Sequence, residues 1–547
     1  MRRVRMLSRL FGLNAMAIVS FLLLTLSPIP WLGFVTSALT LGAAWWRNRK
    51  SGMGKAVSVR ILLVGGLIAQ YLPNLQDTND YSLLATTAML VMLMMHEGLV
   101  QRVVSKARLQ FGQLPNFATR TDVHVAPQYV FHANTLMIVL LGVFAVPEFP
   151  SWPLVVAAGL LSAGVAALLF DARALLRGNG RAWARFSEAL QEYEPTFAVY
   201  FSGPPGMVYQ VSMWLPYLDR LGKPYVVVLR EGAVFNHMLQ LTDQPVVVCN
   251  TIGNLDQVAV DGLHACFYVN NGMKNSHFVK FRDITHIQLL HGDSDKPPSY
   301  NAVTGMYDRV FVAGQAGIDR YHKHGVNIPE SKFEIVGRPQ VEDIDVTRTH
   351  IGDRSNKAVL YAPTWVGFSD TVNYCSLPVA HIFVQKLIER DVTVILRSHP
   401  YTGRDSQSLQ TLHELEHLLA QDRQRSGRKH VFGSAATEEL TIVECFNAAD
   451  AMISDVSSVV SDFLFSEKPF AITDMVDEQD EFVESFPLAR AAYVLRKDMS
   501  NADDVLDQLL KTDPLEQTRK EARAYYLGDY PAETYVDAFV AGANKYI

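Results

Sequence analysis

Ala451-Met-Ile-Ser454-Asp455-Val-Ser457-Ser458-Val-Val-Ser461-Asp462-Phe463 is the stretch on which the reading of this chain turns. A short apolar run stops at Ser454, and a hydroxyl-rich turn then opens a helix. Continuous apolar runs of this length fit strands buried on both faces of a parallel sheet. Free N–H groups and the helix dipole make such a helix start a place for an anion, and the serine hydroxyls add donors. Asp455 reads equally well as an ordinary N-cap.

Working outward, similar Val- and Ile-rich runs recur between helical stretches at 225–229, 246–249, 287–290, 310–312, 359–361, 392–396 and 470–472. Their number suits two doubly wound halves, one ending near Gly337-Arg-Pro339 and the other starting near Lys357. A polar linker at 340–356 separates them. Ligands of such sheets bind beyond the carboxyl ends of the strands, so the polar residues that follow each run are the candidates for chemistry.

Four further groups stand at those positions. His291, in Ile287-Gln-Leu-Leu-His291-Gly292-Asp-Ser-Asp-Lys296, is placed to act as a general base beside a glycine that lets a substrate approach. Lys296 could reach a phosphate there, and Asp293-Ser-Asp295 spells a three-letter D-x-D, weak evidence for a metal. Thr364, in Leu360-Tyr-Ala-Pro363-Thr364-Trp365, offers a hydroxyl at a strand's mouth. Arg397 and His399, in Arg397-Ser-His399-Pro400, form an anion-friendly pair, although a structural Arg–carboxylate pair competes with that role. Gly206, in Tyr200-Phe-Ser-Gly203-Pro-Pro-Gly206, either meets an acceptor or turns the chain.

The first third of the chain is different in kind. No charged residue stands between Leu10 and Trp46, and a bilayer core takes about 20 apolar residues per helix. Pro28 and Pro30 break this run into two spans. Further spans are expected at about 56–73, 82–104, 129–147 and 152–170, so the chain reads as an all-α membrane domain of about six helices. Arg and Lys gather in alternate loops (Arg47, Arg49 and Lys50; Arg102, Lys106 and Arg108; Arg173, Arg177 and Arg181), while the others hold only Asp77, Asp80 and Glu148. Basic loops stay in the cytoplasm, which puts both termini and the α/β halves on that side of a multi-pass plasma-membrane protein. Arg60, Glu97 and His132 lie close to span ends, where snorkelling is the expected behaviour. The expected domains are 1–180, 181–350 and 351–547, with a last helix crossing back to the first α/β half.

Composition narrows the function classes. Lys plus Arg total 49 against 55 for Asp plus Glu, a formal charge of −6, so no global basic field exists to hold nucleic acid. The four cysteines are far apart and form no C-x-x-C, which fits a reducing cytosol better than a disulfide or zinc framework. There is no G-x-x-x-x-G-K-[ST] and no G-x-S-x-G.

The ordered set His-Gly, Tyr-Ala-Pro-Thr-aromatic, Arg-x-His-Pro, Ser-Asp-x-Ser-Ser-x-x-x-Asp and Lys-Pro resembles the CDP-glycerol glycerophosphotransferase family, the teichoic-acid polymerases and primases, over roughly residues 195–530. The resemblance implies a GT-B fold of two Rossmann-like halves behind the membrane domain. It implies transfer of glycerol phosphate, or a similar polyol phosphate, from CDP-glycerol to a membrane-linked polymer or lipid acceptor, with release of CMP and without a cofactor or required metal. His291 and His399 would then be catalytic, and Thr364, Arg397, Ser454, Asp455, Ser457, Ser458 and Asp462 would bind the donor. Gly206, Gly292 and Lys296 would meet acceptor or phosphate. Val366-Gly367 stands where the family often has Arg, and Asp-Ser-Asp-Lys where it commonly has Thr-Pro-x-Lys. A GT-B glycosyltransferase using a sugar nucleotide and a lipid-linked acceptor stays open, as does a non-catalytic membrane export partner.

Overall fold

The computed structural model describes residues 1–547 apart from 1, 50–55, 79–80, 145–149, 293–296, 348, 368–372 and 479–480, and apart from the side chains of 2–10, 30, 73–78 and 297–298. Two compact units are present: residues 1–111 with 116–189, and 112–115 with 190–547.

The second unit is built on two sheets. The first comprises β1 (Phe111–Gly112, of which Gly112 belongs to this unit), β2 (Phe197–Phe201), β3 (Tyr225–Leu229), β4 (Val246–Val248), β5 (Ala265–Tyr268), β6 (Thr285–Gln288), β7 (Arg309–Val312) and β8 (Phe333–Ile335). Their order is β1-β4-β3-β2-β5-β6-β7-β8, and β2 to β8 pair in parallel. The second sheet comprises β9 (Ala358–Ala362), β10 (Thr393–Leu396), β11 (Ala451–Ser454), β12 (Phe470–Asp474) and β13 (Tyr493–Arg496), all parallel, in the order β10-β9-β11-β12-β13. Both are open Rossmann-like α/β sheets. Strand order reverses between β2 and β5 in one and between β9 and β11 in the other, which marks the two crevices where ligands of such sheets bind.

The inner strands of the first sheet are buried on both faces: every residue of β2, β3, β4 and β5 is buried. Three of the strands that the apolar runs do not reveal are of another composition. Phe333–Ile335 and Tyr493–Arg496 are edge strands, half-buried or alternating, and carry charges. Ala265–Tyr268 is central but made of small and aromatic residues. The last helix, Asp537–Asn544, returns to the first sheet, where Val536, Phe539 and Ala543 join the core that holds Trp214, Phe311 and Val336. All four cysteines are free and buried.

Within the first unit the described residues form six helices: Arg2–Leu26, Pro30–Asn48, Val57–Thr78, Ser82–Ala107, Gln128–Phe144 and Trp152–Tyr193. Two of them, Ser82–Ala107 and Trp152–Tyr193, are long and apolar enough to cross a membrane, while Phe11–Leu26, Val57–Leu72 and Gln128–Phe144 are apolar but shorter. Length and composition therefore support membrane association through two helices and leave the six-span count unestablished. Large apolar side chains also face outward, with Leu160 70% and Phe170 72% exposed.

The polar residues of this unit behave differently from the snorkelling expected of them. Arg60 donates to both carboxylate oxygens of Glu97, at 2.8 and 2.6 Å, and Asn134 donates to the same carboxylate at 2.7 Å. Arg60 is 1% and Glu97 0% exposed. They are too deep to reach an interface, and each neutralises the other, as buried charges must.

Candidate active site

The loop after β6 carries His291 in a constrained form. Leu290 adopts φ +55°, the left-handed region that a branched side chain rarely enters. Two hydrogen bonds hold it there: Trp214 Nε1 donates to its carbonyl at 2.6 Å, and its own N–H donates to Gln288 Oε1 at 3.0 Å. Backbone strain retained by such bracing is typical of functional loops. Here it turns the His291 ring onto the carbonyl of Val269, 3.0 Å from Nδ1.

That carbonyl can only accept, so the proton sits on Nδ1 and Nε2 keeps its lone pair. Gln210 Nε2 lies 3.2 Å from His291 Nε2 and donates to it. Burial, against the pull of the Val269 carbonyl and with the help of the Arg338 charge, lowers the imidazole below its usual pKa. His291 is thus a neutral base with one defined accepting nitrogen.

Behind it stands a buried polar network. Asn270 Nδ2 donates to Gln210 Oε1 at 3.0 Å and to the Ser202 carbonyl at 3.2 Å, and Gln288 Nε2 donates to the Asn270 carbonyl at 3.0 Å. These contacts tie the ends of β2, β5 and β6 together and fix Gln210, which neither composition nor spacing marks.

His399 is arranged the opposite way. Its Nδ1 accepts the N–H of Tyr401 at 3.0 Å, so the neutral ring carries its proton on Nε2 and is a donor. Trp365 stacks near it at 6.2 Å between ring centroids, and Tyr401 lies edge-on at 5.4 Å. Tyr401 then crosses to the other half, where its hydroxyl donates to the Gly206 carbonyl at 2.9 Å. The same short turn reaches His291, since the ring of Tyr209 lies 6.0 Å from it. The 206–210 segment therefore touches the surroundings of both histidines.

The helix after β11 starts at Ser457, which is its N-cap and accepts the Val459 N–H at 3.4 Å. The helix, Ser458–Phe463, is only six residues long, so its dipole is small and the half-buried Ser457 and Ser458 carry the polar character. Ser458 faces the other sheet's loop: a Cβ on Gly292 would lie 3.4 Å from Ser458 Cβ and Oγ. The His-Gly loop of one half and the serine turn of the other stand side by side.

Several residues read as donor contacts have other partners. Asp455 is not the N-cap. It is fully buried, and its Oδ2 accepts the N–H groups of Thr364 at 2.7 Å and Ser376 at 3.2 Å, while Oδ1 accepts the Thr473 hydroxyl at 2.6 Å. Burial pushes its carboxyl above the ordinary range, although those hydrogen bonds pull it down. It knots the ends of β9, β11 and β12. Ser454, also fully buried, donates to the Ala362 carbonyl at 2.7 Å and so pins β11 to β9.

Asp462 pairs with Arg338, which reaches it through Nε and, at 3.1 Å, through Nη2. Arg338 belongs to the Gly337-Arg338-Pro339 corner that ends the first half. Together they clasp the linker to the second half. Arg397 directs Nη1 at the carbonyls of Ala436 and, at 2.7 Å, Leu440, so that nitrogen holds a loop. Lys468 of the Lys-Pro pair is structural. Its Nζ donates to the carbonyls of Phe446, Asn447 and Ala449 at 2.8, 3.3 and 2.8 Å, closing the helix Ile442–Ala448, and burial lowers its pKa to about 8.

Thr364 is buried beside Asp455 through its backbone. Lys296 and the D-x-D aspartates at 293 and 295 lie outside the described residues. Among the described residues His350, Asp513 and Glu516 bring ligand atoms within 4.8 Å of one another; Asp513 is already in an ion pair with Arg519, which leaves little charge for a cation. Arg338 and Gly292, with Trp214, Leu290, Ser299 and Arg320, line a cavity of about 30 Å³ beside the His291 loop.

Comparison with known proteins bears on the second half above all. Residues 334–485 match the family described as CDP-Glycerol:Poly(glycerophosphate) glycerophosphotransferase. The segment contains Thr364, Arg397, His399 and the whole Ser454–Asp462 turn, and His291 precedes it. No curated protein matches. Among solved structures, that of the wall teichoic acid polymerase TagF is 15% identical, covers 68% of this chain and 93% of its own, and has a TM-score of 0.41. A complex of S. aureus MnaA with UDP is 14% identical over 64% of this chain and 96% of its own, with a TM-score of 0.43. A glycosyltransferase from Rickettsia africae is 12% identical over 64% and 98%, with a TM-score of 0.40. Over residues 334–485, less than half of its length, the chain matches the CDP-glycerol glycerophosphotransferase family, which supports a glycerophosphotransferase-like enzyme.

Proposed function

We propose that the protein is a membrane-anchored transferase that moves glycerol phosphate, or a similar polyol phosphate, from CDP-glycerol to a membrane-linked acceptor and releases CMP, in the synthesis of a teichoic-acid-like envelope polymer. The observation that supports this reading is the approach of Gly292 to Ser458, where a Cβ on the glycine would meet Ser458 Cβ and Oγ at 3.4 Å, so that the loop carrying His291 and the serine-lined turn are neighbours.

In this reading an acceptor hydroxyl attacks the glycerol-bearing phosphorus. Its proton passes to His291 Nε2 as the new P–O bond forms, after the hydroxyl displaces the Gln210 amide. The bond from that phosphorus to the bridging oxygen breaks, and CMP leaves. His399, a donor at Nε2, and the hydroxyls of Ser457 and Ser458 meet the charge on the diphosphate. Thr364 lines the same end of β9, with Asp455 fixing its backbone. Ser454, Arg397 and Asp462 act as positioning residues through Ala362, the 436–440 loop and Arg338. Phosphoryl transfer gains mainly from positioning and preorganised charge, so these fixed donors suffice and no metal is invoked.

The arrangement of basic loops supports a cytoplasmic placement of the termini and the α/β unit, with the helices of the first unit proposed as anchor. The test is detergent-purified protein with a panel of CDP-alcohols and nucleotide sugars, the nucleotide product identified by mass. CMP from CDP-glycerol supports the reading; UMP or UDP from a sugar nucleotide, with CDP-glycerol untouched, overturns it.

A further inference from the structure

His291 needs the Nε2 lone pair to act as a base, yet a side chain covers it. Gln210 Nε2 lies 3.2 Å away, and Gln210 is 5% exposed. The direction of that contact is fixed from behind. Asn270 Oδ1 accepts the Gly272 N–H at 3.0 Å, so Asn270 Nδ2 is the atom that donates to Gln210 Oε1 at 3.0 Å. With its oxygen held there, Gln210 presents an NH₂ group to the imidazole, while the Val269 carbonyl keeps the ring proton on Nδ1. A donor meets the accepting nitrogen, and the base is capped.

The cap sits on a braced segment. The 3-10 turn Pro205–Met207 leads into the one-turn helix Tyr209–Ser212, whose buried residues are Gln210 and Val211. Tyr209 lies beside the His291 ring, 6.0 Å between centroids. From the second half the Tyr401 hydroxyl donates to the Gly206 carbonyl at 2.9 Å, and the Arg404 guanidinium lies 3.5 Å over the Tyr401 ring. A hydroxyl that is to give its proton to His291 must therefore dislodge an amide held at Asn270, on a segment held at Gly206.

Water and an alcohol are unequal in that exchange. Each offers an O–H to Nε2. An alcohol bound in the cleft also brings contacts from the rest of its chain, and binding energy from such remote groups can offset the hydrogen bond lost by Gln210. A water molecule brings none, so the amide keeps its place. The difference matters because attack by water consumes the donor without transfer. The water oxygen would bond to the glycerol-bearing phosphorus and the bond from that phosphorus to the bridging oxygen would break. The water proton would pass to His291 Nε2, and glycerol phosphate and CMP would result.

We propose that Gln210 is a selectivity residue, which closes His291 Nε2 to water and yields it to an alcohol. The inference rests on the reading of His291 as the base and adds to it a means of sparing the donor when no acceptor is bound. Gln210 acts through His291, so it is a positioning residue, and Asn270 orients it.

Two measurements on the full-length protein in detergent test this. The first is CMP release from CDP-glycerol with no acceptor present. Gln210→Ala should raise it by about 2–10-fold, the equivalent of one net hydrogen bond, and adding His291→Ala should abolish the rise. The second needs no donor: diethyl pyrocarbonate acylates the lone-pair nitrogen of a neutral imidazole, and the modified His291 peptide is quantified by mass. Its rate of formation should rise by a similar factor in Gln210→Ala. Gln210→Glu keeps an acceptor for Asn270 and sets a carboxylate against the imidazole. The acid limb of acceptor-free release should then move to higher pH, which a purely structural role would not produce. An unchanged modification rate or unchanged CMP release in a folded Gln210→Ala overturns the proposal, as does a Gln210→Glu limb at the wild-type position. If the donor panel yields a nucleotide other than CMP, the donor assignment falls. The modification rate then still judges the cap, and the same release comparison is made on the donor so identified.

Discussion

Gly292 and Ser458 lie so close that a single added carbon on the glycine would meet the serine Cβ and Oγ at 3.4 Å. One follows β6 of the first sheet and the other follows β11 of the second, so a loop at the carboxyl end of one sheet meets a loop at the carboxyl end of the other. An added methyl would make ordinary van der Waals contact there, and a longer side chain would fill the gap.

Gly292→Leu should therefore act as a wedge. Displacing a reacting group by about 1 Å can lower turnover about 10²-fold. We expect a loss of that order in CMP release while the melting temperature of the α/β unit changes little, and Gly292→Ala should fall between the two. Wild-type turnover in Gly292→Leu would mean that the approach has no part in catalysis.

The depressed pKa of His291 sets the pH profile. A general base works when neutral, so activity should rise with pH along an acid limb and level off once the imidazole is deprotonated. Because burial lowers that pKa from 6.5, the limb should centre below pH 6.5 and the rate should level off above it. The log of kcat/KM against pH measures it, and a midpoint above 6.5 would contradict the environment described for His291.

Asp455 separates folding from binding. Asp455→Ala leaves the N–H groups of Thr364 and Ser376 buried without an acceptor, at about 1–3 kcal/mol for each unsatisfied group, and should lower the melting temperature markedly. Asp455→Asn should be far milder, since its amide oxygen can serve both N–H groups while its NH₂ donates to the Thr473 hydroxyl. Thermal unfolding of the two variants checks this. Equal stability of both would show that the knot is unimportant.

In the helical first unit, Glu97→Gln removes the carboxylate that pairs with Arg60, and breaking such a buried pair typically costs about 3–5 kcal/mol. Replacing both at once with Met and Leu should restore much of the loss. Thermal unfolding in detergent micelles reads both. A Glu97→Gln variant as stable as wild type would indicate that the pair is hydrated rather than locked.

The chain's own pattern revealed the two Rossmann-like sheets because β3, β9 and β11 are unbroken apolar runs ending in polar turns. It concealed Ala265–Tyr268, whose small and aromatic residues carry no periodic signal, and the charged edge strand at Phe333–Ile335. At the site, residue type marked His291, His399 and the serines, each a group with chemistry of its own. It did not separate surface from depth. Asp455, Ser454 and Asp462 stand in the same motif as Ser457 and Ser458, yet they face Thr364, Ala362 and Arg338, and only the packing of β11 between β9 and β12 decides that. Gln210 and Tyr401 gain their places from tertiary contacts to His291 and Gly206, which spacing along the chain does not encode. Arg60 and Glu97, separated by 37 positions, met for the same reason.

The account rests on His291 and the Ser457–Ser458 turn acting on one diphosphate in different ways, and a paired measurement of donor affinity and single-turnover CMP release tests it. His291→Ala should lower the single-turnover rate by about 10²–10⁴-fold and keep the Kd for CDP-glycerol. The double change Ser457→Ala with Ser458→Ala should weaken that Kd by the equivalent of about 1–3 kcal/mol. If His291→Ala releases CMP at the wild-type rate, or the double serine variant binds CDP-glycerol as tightly as wild type, the two groups do not share a substrate and the account fails.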